Sequence, residues 1–457
     1  MIDMMINTSA PDEQNLLTTT FVEETAENSD QFEPMIISKL TDILELTIKQ
    51  DSVNKVVTFL CGLSIYTESA QFNISFNAPS STGKSFIPTE IARLFPPKDV
   101  VEVAYCSPTA FFHDQGQKDE KRKGEIIVDL SKKLLIFLDQ PHNQLLERLR
   151  PLLSHDKKEI QIKITDKGQK QGLRTKNVVL RGFPAVVFCT AGLAIDEQEA
   201  TRFLLLSPEV NQEKLREGIL ETIKRSANKE LYDAYLEANP ERTALKQRIL
   251  AIKEAGIEDI IITDSKKIEE RFFAHNKMLK PRHQRDIKRL LSIVKVLALL
   301  NFWWREREGD LIKANDEDIE AAFRLWDEIS VSQELNLPPY IYKLYHEVIL
   351  ASWQEKVQNS VSCGVLLENI KGLSRKDILT KHYAVYGRML DATQLRQQIL
   401  PMLETAGLIT QEDDLNDKRQ RLVRPNSLIP DTGEINSESR GGGSNQIDET
   451  DYKDIPW

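Results

Sequence analysis

Ala78-Pro79-Ser80-Ser81-Thr82-Gly83-Lys84-Ser85 is the stretch on which the reading of this chain turns. It follows an apolar run at 72–76, precedes a helical pattern, and fits G-x-x-x-x-G-K-[ST] except that Ala78 stands in place of the first glycine. A strand, loop and helix of this composition point successive backbone N–H groups at one spot by a helix N-terminus, where they can cradle phosphate oxygens. Lys84 is spaced to reach β- and γ-phosphates, and Ser85 to hold Mg²⁺. The alternative, a chance Gly-Lys-Ser turn, leaves the flanking strand and helix unexplained.

Working outward, Leu134-Leu135-Ile136-Phe137-Leu138-Asp139 is a second apolar strand, ending in the carboxylate that a magnesium-dependent ATP hydrolase places there. Gln140 stands where such enzymes usually carry a Glu that polarises the attacking water. An amide can orient water but cannot take its proton at neutral pH, so slow hydrolysis is expected, or use of another carboxylate such as Glu147 or Glu159. A third apolar run at 185–189 delivers Thr190, whose hydroxyl either contacts the water or γ-phosphate or caps a turn. Arg202, in Glu199-Ala200-Thr201-Arg202-Phe203, heads a further run; in a ring-forming ATPase an Arg here reaches the neighbouring subunit's γ-phosphate, and otherwise it pairs locally with Glu199. Ser154-His155-Asp156 holds triad residue types side by side, but a triad is assembled in space, so this reads as a loop.

Short apolar runs at 72–76, 100–104, 134–138 and 185–189, alternating with amphipathic segments, predict an α/β fold with a mainly parallel central sheet flanked by helices. We assign residues 1–35 to an acidic disordered N-terminus and 36–209 to the α/β core, opening with helical pattern from 36 to about 66. Residues 210–337 read as an almost wholly helical lid, and 426–457 as a flexible linker with an acidic tail. Residues 338–425 combine helices at 373–379 and 393–406 with strands at 408–410 and 421–423, which makes a winged-helix domain. Lys418, Arg419 and Arg421 on the wing and Arg396 on the candidate recognition helix suit contacts to DNA phosphates, while Asp413, Asp414 and Asp417 on the same wing suit protein docking.

A chain of 457 residues exceeds what one hydrophobic core usually holds, so two or three domains are expected. The net charge of -10 argues against nucleic-acid binding only until it is divided: residues 1–36 carry eight acids and no Lys or Arg, residues 431–457 seven acids against two bases, and 37–430 is left at +3. No apolar run reaches the length of a membrane span and the start lacks a secretory pattern, so a cytosolic address with no membrane contact is expected. Cys61, Cys106, Cys189 and Cys363 lie far apart without a C-x-x-C pair, against a disulfide framework or structural zinc.

Together these segments resemble the AAA+ ATPases, and within them the minichromosome maintenance helicases, over about residues 36–322. Residues 159–163 and 178–180 flank a basic segment similar to that family's pre-sensor hairpin, which implies that Lys167, Lys170, Arg174 and Lys176 face DNA in a central channel; a solvated hairpin tip is the alternative. Residues 281–291 resemble the sensor 2 helix, which selects Arg282, with Arg285 second. Residues 105–125 fit the family's helix insert or a solvated loop. Ala78, Gln140 and the lack of a preceding oligonucleotide-binding domain or zinc ribbon depart from the family, and such trimmed proteins look like those of bacterial mobile elements.

The resemblance implies an ATP- and Mg²⁺-dependent DNA helicase or translocase in replication of a mobile element. It would work on single-stranded or forked DNA as a homo-oligomeric ring, hexameric in the family, in the bacterial cytoplasm at the nucleoid. A slowly hydrolysing switch or helicase loader is the alternative, followed by a winged-helix transcription regulator with an ATPase control domain. Asp454-Ile455-Pro456-Trp457, tethered by Gly441-Gly442-Gly443-Ser444, resembles the acidic tip of bacterial single-stranded-DNA-binding proteins, with Trp457 for the terminal Phe. It implies docking onto a replication protein that recognises such tips; an ordinary acidic tail is the other reading.

Overall fold

The computed structural model describes residues 32–104, 117–118, 125–166, 174–191, 201–257, 259–308, 311–366, 369–414 and 420–426. Helices α1 (Ile37–Glu45) and α2 (Ser52–Leu63) lead into β1 (Ile74–Asn77), the loop 78–85 and α3 (Phe86–Ala92). Then come β2 (Val100–Val103), β3 (Gln117–Lys118), β4 (Glu125–Asp129), β5 (Leu134–Phe137) and α4 (Asn143–Leu153). The hairpin β6 (Glu159–Asp166) and β7 (Arg174–Arg181), β8 (Ala185–Thr190) and β9 (Leu204–Leu206) complete this part.

Five strands form a parallel sheet in the order β2-β5-β8-β1-β9, with Ile136 level with Val187 and Phe76 level with Cys189. Its side chains alternate between two cores. Leu134 and Ile136 join Ala185 and Val187 on one face, whereas Leu135 and Phe137 join Val186 and Phe188 on the other, closed by Leu145, Leu149 and Leu152 of α4. Burial of both faces is why β5 and β8 are nearly unbroken apolar runs rather than alternating ones. A second sheet, β3-β4-β7-β6, contains the hairpin expected over 159–180 as the antiparallel pair β6–β7, and adds β4, parallel to β7, and β3, which were not foreseen.

The helical pattern expected from 36 to about 66 forms two helices, broken at Gln50 and Asp51, both left-handed at φ 53° and 51°. The break turns the Asp51 carboxylate inward, where it accepts from Asn54 Nδ2 at 2.9 Å and from the Glu209 N–H at 2.7 Å and pairs with Lys214. The expected disordered boundary at 35 also moves: Phe32 and Met35 are buried, and residues 1–31 lie outside the described residues. The Met35 N–H donates to Asn301 Oδ1 at 2.7 Å, Asn301 Nδ2 returns a bond to Met35 O at 3.0 Å, and Phe32 sits 4.7 Å from the Trp303 ring.

Beyond β9 follow α5 (Gln212–Ala227), α6 (Lys229–Ala238), α7 (Pro240–Ala255), β10 (Ile260–Ile262), α8 (Ser265–His275), α9 (His283–Leu300), β11 (Arg307–Glu308), β12 (Leu311–Ala314) and α10 (Asp316–Glu334). Asn211, Asn228 and Asn239 cap α5, α6 and α7 through their side-chain oxygens. The almost wholly helical reading missed the small sheet β10-β12-β11, whose strands of two to four residues are too short to show a period.

The terminal part runs through α11 (Pro339–Leu344), continued by a π-helical stretch at Tyr345–Leu350 into α12 (Ala351–Ser362), then α13 (Arg375–Tyr386) and α14 (Ala392–Gln394), continued by a second π-helical stretch at Leu395–Ile399 into α15 (Leu400–Thr405). It ends on the antiparallel pair β13 (Ile409–Asp413) and β14 (Arg421–Pro425), with Leu373 bridged to Val423. Ser374 and Asp377 form a capping box on α13, and the part has its own core of Ile341, Val348, Ile378, Leu395, Ile399, Leu403 and Val423. It touches the main sheet where the Tyr340 N–H donates to Ser207 Oγ at 3.2 Å and Ser207 donates to Asn77 O at 2.6 Å. Among the described residues no helix is long and apolar enough to cross a membrane. Cys61 and Cys189 are buried free thiols and Cys363 an exposed one; Cys106 lies outside the described residues.

Candidate phosphate-binding loop and an opposing cationic cavity

The loop 78–85 leaves the C-terminal end of β1, and β5 and β8 end at the same edge, so Asp139, Gln140 and Thr190 emerge beside it. In open parallel sheets the crevice beyond the strand C-termini is where ligands bind. The Ala78 N–H donates to Thr190 O at 3.3 Å, tying the loop to β8. Ser81 and Gly83 take φ values of 64° and 90°, which curls the loop and turns its N–H groups inward. Ala78 is fully buried and has no positive φ, so the glycine missing from the motif is not required by the backbone at that position. Gly83 O accepts from the N–H groups of Phe86 and Ile87 at 3.1 and 3.4 Å, which starts α3.

Lys84 folds back across the loop and donates through Nζ to Pro79 O at 2.9 Å, the carbonyl that Thr82 Oγ1 also donates to at 2.9 Å. Burial lowers the Lys84 pKa, opposed by the nearby Cys189 and Asp139. The Cys189 thiol, pushed up to about 12 chiefly by burial, stays neutral and donates to Lys84 O at 3.3 Å. Ser80 and Ser81 line the rim, and Ser85 and Asp139 are exposed, so two hard oxygen donors of the kind a magnesium ion takes are open to solvent. Thr190 donates its hydroxyl to Gln140 Oε1 at 2.9 Å, while the Gln140 N–H donates to Asp139 Oδ1 at 2.8 Å. With its oxygen so engaged, the Gln140 amide has N–H donors left to offer and no base. Of the substitute carboxylates, Glu147 is exposed on α4, and Glu159 accepts from Arg181 at 3.2 Å in the second sheet.

Arg202 sits at the other edge. It precedes β9, whose Leu204 is level with Ile74, and its Nε donates to Ser154 Oγ at 3.0 Å. The neighbouring Leu153 O accepts from Asn73 Nδ2 at 3.1 Å, one residue before β1. The loop is thus a strand's length away, roughly 16 Å for the five residues from Asn73 to Ala78. Glu199, its expected local partner, lies outside the described residues.

A cavity of about 350 Å³ opens beside Arg202, with Arg285, Lys288, Arg289, Lys295 and His155 on its wall. Arg285 donates to the Thr201 hydroxyl, and Arg289 to Thr201 O and, at 2.9 Å, to Asp286 Oδ1. Arg282 turns inward instead: its Nε holds Asp286 Oδ2 at 2.8 Å. Of the two arginines singled out in the sequence, Arg285 faces the cavity and Arg282 braces Asp286. Sequence reasoning missed Ser154, His155, Lys288 and Lys295, although Arg285, Lys288, Arg289 and Ser292 follow the i, i+3, i+4, i+7 spacing of one helix face. His155, set aside as a loop residue, is depressed to about 4 by burial first and Lys288 second, and its Nε2 is buried without a partner.

The other predicted positions are scattered. Arg174 and Lys176 lie on β7, level with Asp166 and Ile164 of β6, while Lys167 and Lys170 lie outside the described residues. Arg396 is exposed on the π-helical stretch Leu395–Ile399 of the helical run 392–405, and Arg421 opens β14 with its Nε 3.4 Å from Asp413 across the pair. Lys418, Arg419 and Asp454 to Trp457 lie outside the described residues.

No protein-family model matches the chain, and no curated protein matches its sequence. Among solved structures it is similar to that of a full-length MCM homolog from Methanopyrus kandleri, at 14% identity and a TM-score of 0.39, over 71% of this chain. The match spans 63% of that protein, under two thirds of its length.

Proposed function

We propose that this chain is an AAA+ ATPase that couples ATP hydrolysis to movement along DNA, as a helicase or translocase in replication of a mobile element, working as a head-to-tail ring. The observation that supports this best is the division of the site. The phosphate loop with Asp139 and the Thr190–Gln140 pair occupies one edge of the sheet, and the cationic cavity around Arg202 occupies the opposite edge. Among the described residues no side chain joins the loop to the cavity, whereas a closed heterologous assembly would bring one copy's loop to the next copy's arginines at every interface.

In this reading the loop N–H groups and Lys84 hold the phosphates. Ser85 and Asp139 hold Mg²⁺, which when bound offsets charge on the phosphate oxygens. Thr190 aims the Gln140 amide at the attacking water, and Arg202 and Arg285 of the neighbour stabilise the charge developing on the γ-phosphate. Arg282 is a positioning residue, acting through Asp286 on Arg289. DNA contacts fall to Lys167, Lys170, Arg174 and Lys176 of the β6–β7 hairpin, and to Arg396, Lys418, Arg419 and Arg421 of a terminal winged helix. The tail from Asp454 to Trp457 recruits a replication protein that reads such tips, all in the bacterial cytoplasm.

A second reading, a slowly hydrolysing switch or loader, is favoured by Gln140, which supplies no base. The experiment that separates them measures ATP hydrolysis and strand displacement with and without single-stranded DNA, with Lys84→Ala as the blank. DNA-stimulated turnover with unwinding supports the motor; tight ATP binding with little turnover supports the switch. Deleting 454–457 is expected to abolish capture of a tip-recognising replication protein with ATP hydrolysis intact, and capture that survives the deletion contradicts the tail assignment.

A further inference from the structure

Helix α5 is amphipathic in the wrong sense for a monomer. Three of its polar side chains face the body: Lys214 pairs with Asp51, Glu221 is buried and accepts from Tyr232 Oη at 2.5 Å, and Arg225 donates to Glu90 at 2.9 Å. Its apolar side chains face water, with Leu215, Ile219, Leu220 and Ile223 exposed, Ile219 to 60%. Spacings of four residues put Leu215, Ile219 and Ile223 on one stripe, which Leu220 widens on one side. The stripe lies at the edge that carries the phosphate loop, because Arg225 stands 5.6 Å over the ring of Phe86, the residue next to Ser85.

A second apolar patch stands at the other end of the divided site. Phe273, Met278 and Leu279 are exposed, Met278 to 80%, on the segment that leads from α8 into α9 and so to Arg285 and Lys288. The charges around the two patches are opposite in sign. Residues 276–289 carry six bases, Lys277, Lys280, Arg282, Arg285, Lys288 and Arg289, against Asp286 alone. The α5–α6 segment, residues 212–238, carries six acids against five bases, two of those bases, Lys214 and Arg225, being paired with Asp51 and Glu90 of the body, and a phosphate-bearing ligand in the loop adds to that side.

We propose that the exposed stripe of α5 is covered by a second copy of this chain, through the patch of Phe273, Met278 and Leu279. This contact rests on the ring reading above and fixes which surfaces close it: one apolar contact beside the loop of one copy and beside the cationic cavity of the next. The two patches differ from each other, so the contact is heterologous and recurs at each interface. Apolar contact supplies the adhesion and the opposite charges set the register.

The test uses full-length protein with Cys106 and Cys363 changed to Ser, so that of the native cysteines only the buried ones remain. One preparation carries Ile219→Cys and another Met278→Cys, and a short bis-maleimide is added with ATP and Mg²⁺ present. The mixture is expected to give a crosslinked dimer that neither preparation gives alone. A dimer formed by the Ile219→Cys preparation by itself overturns the heterologous contact. Assembled protein, seen by sedimentation, that yields no crosslink in the mixture overturns this interface and leaves the ring reading standing. Protein that hydrolyses ATP yet sediments as single 52.3 kDa chains at every concentration overturns both. As a second measurement, Ile219→Asp with Ile223→Asp, both exposed positions, is expected to shift assembled protein to single chains with ATP binding unchanged; assembly that survives the double substitution counts against the contact.

Discussion

In the proposed ATPase, Gln140 limits what the loop 78–85 can do with a bound nucleotide. Its carbonyl is engaged by Thr190, so it orients without accepting a proton. Gln140→Glu is therefore expected to raise kcat by roughly 10-fold or more, since a positioned general base contributes about 10²–10⁴, while ATP affinity changes little. An unchanged kcat in steady-state hydrolysis means the base lies elsewhere. Thr190→Val removes the bond that aims the amide and is expected to lower kcat by roughly 10-fold, the equivalent of one hydrogen bond of about 1.4 kcal/mol, with binding intact. Lys84, Ser85 and Asp139 were legible because local spacing marks them; the Thr190–Gln140 pair joins residues fifty positions apart and leaves no such mark. His155 was illegible for the same reason. Its pKa is depressed to about 4 in the folded chain against about 6.5 unfolded, so the unfolded state binds the extra proton between those values. Stability is full above pH 6.5 and is lost as pH falls through 6.5 toward 4, by about 2 kcal/mol after allowing for partial exposure. Denaturant unfolding of His155→Asn across that window is expected to show a correspondingly flatter profile.

Strands β5 and β8 could be read directly because burial on both faces makes them apolar almost throughout, a signal that survives in four residues, whereas β1 keeps the buried polar Ser75 and Asn77 and β2 an exposed Glu102. The weaker signals failed where an element was shorter or its pattern was set by a distant partner. β9 and β10 to β12 are too brief for periodicity, and the break between α1 and α2 depends on Asp51 meeting Glu209 and Lys214, far along the chain. Gly182, at φ 90° between β7 and β8, shows how tightly the two sheets are joined: an added Cβ would run into the backbone and side chain of Ser131. Gly182→Ala is expected to destabilise the chain by about 2–4 kcal/mol, combining backbone strain with overpacking; thermal unfolding indistinguishable from the parent contradicts the tight junction. The face of α9 that carries Arg285, Lys288 and Arg289 was partly legible, but Arg282 misled, because the sequence motif does not reveal that its guanidinium turns in to Asp286.

Taken over its whole length, the chain carries its net acidity at its ends and gathers Arg202, Arg285, Lys288, Arg289 and Lys295 around one cavity at the edge of the sheet. The net -10 gave no sign of this, since the cavity of Arg202, Arg285, Lys288, Arg289 and Lys295 is assembled from two separated segments. That cavity lies a strand's length from the loop of its own copy, so the account requires the ATPase site to be shared between copies. The direct test is complementation between two inactive variants, Lys84→Ala, which lacks the loop cation, and Arg202→Ala, which lacks the opposing one. Each alone is expected to hydrolyse ATP at no more than about 1% of the parent rate, as for loss of a charge-stabilising arginine worth 10³–10⁵. The equimolar mixture is expected to recover a substantial fraction of it, because some interfaces pair an intact loop with an intact Arg202. Full activity in Arg202→Ala alone, or a mixture as inactive as its parts although the two variants co-assemble, would contradict the shared site.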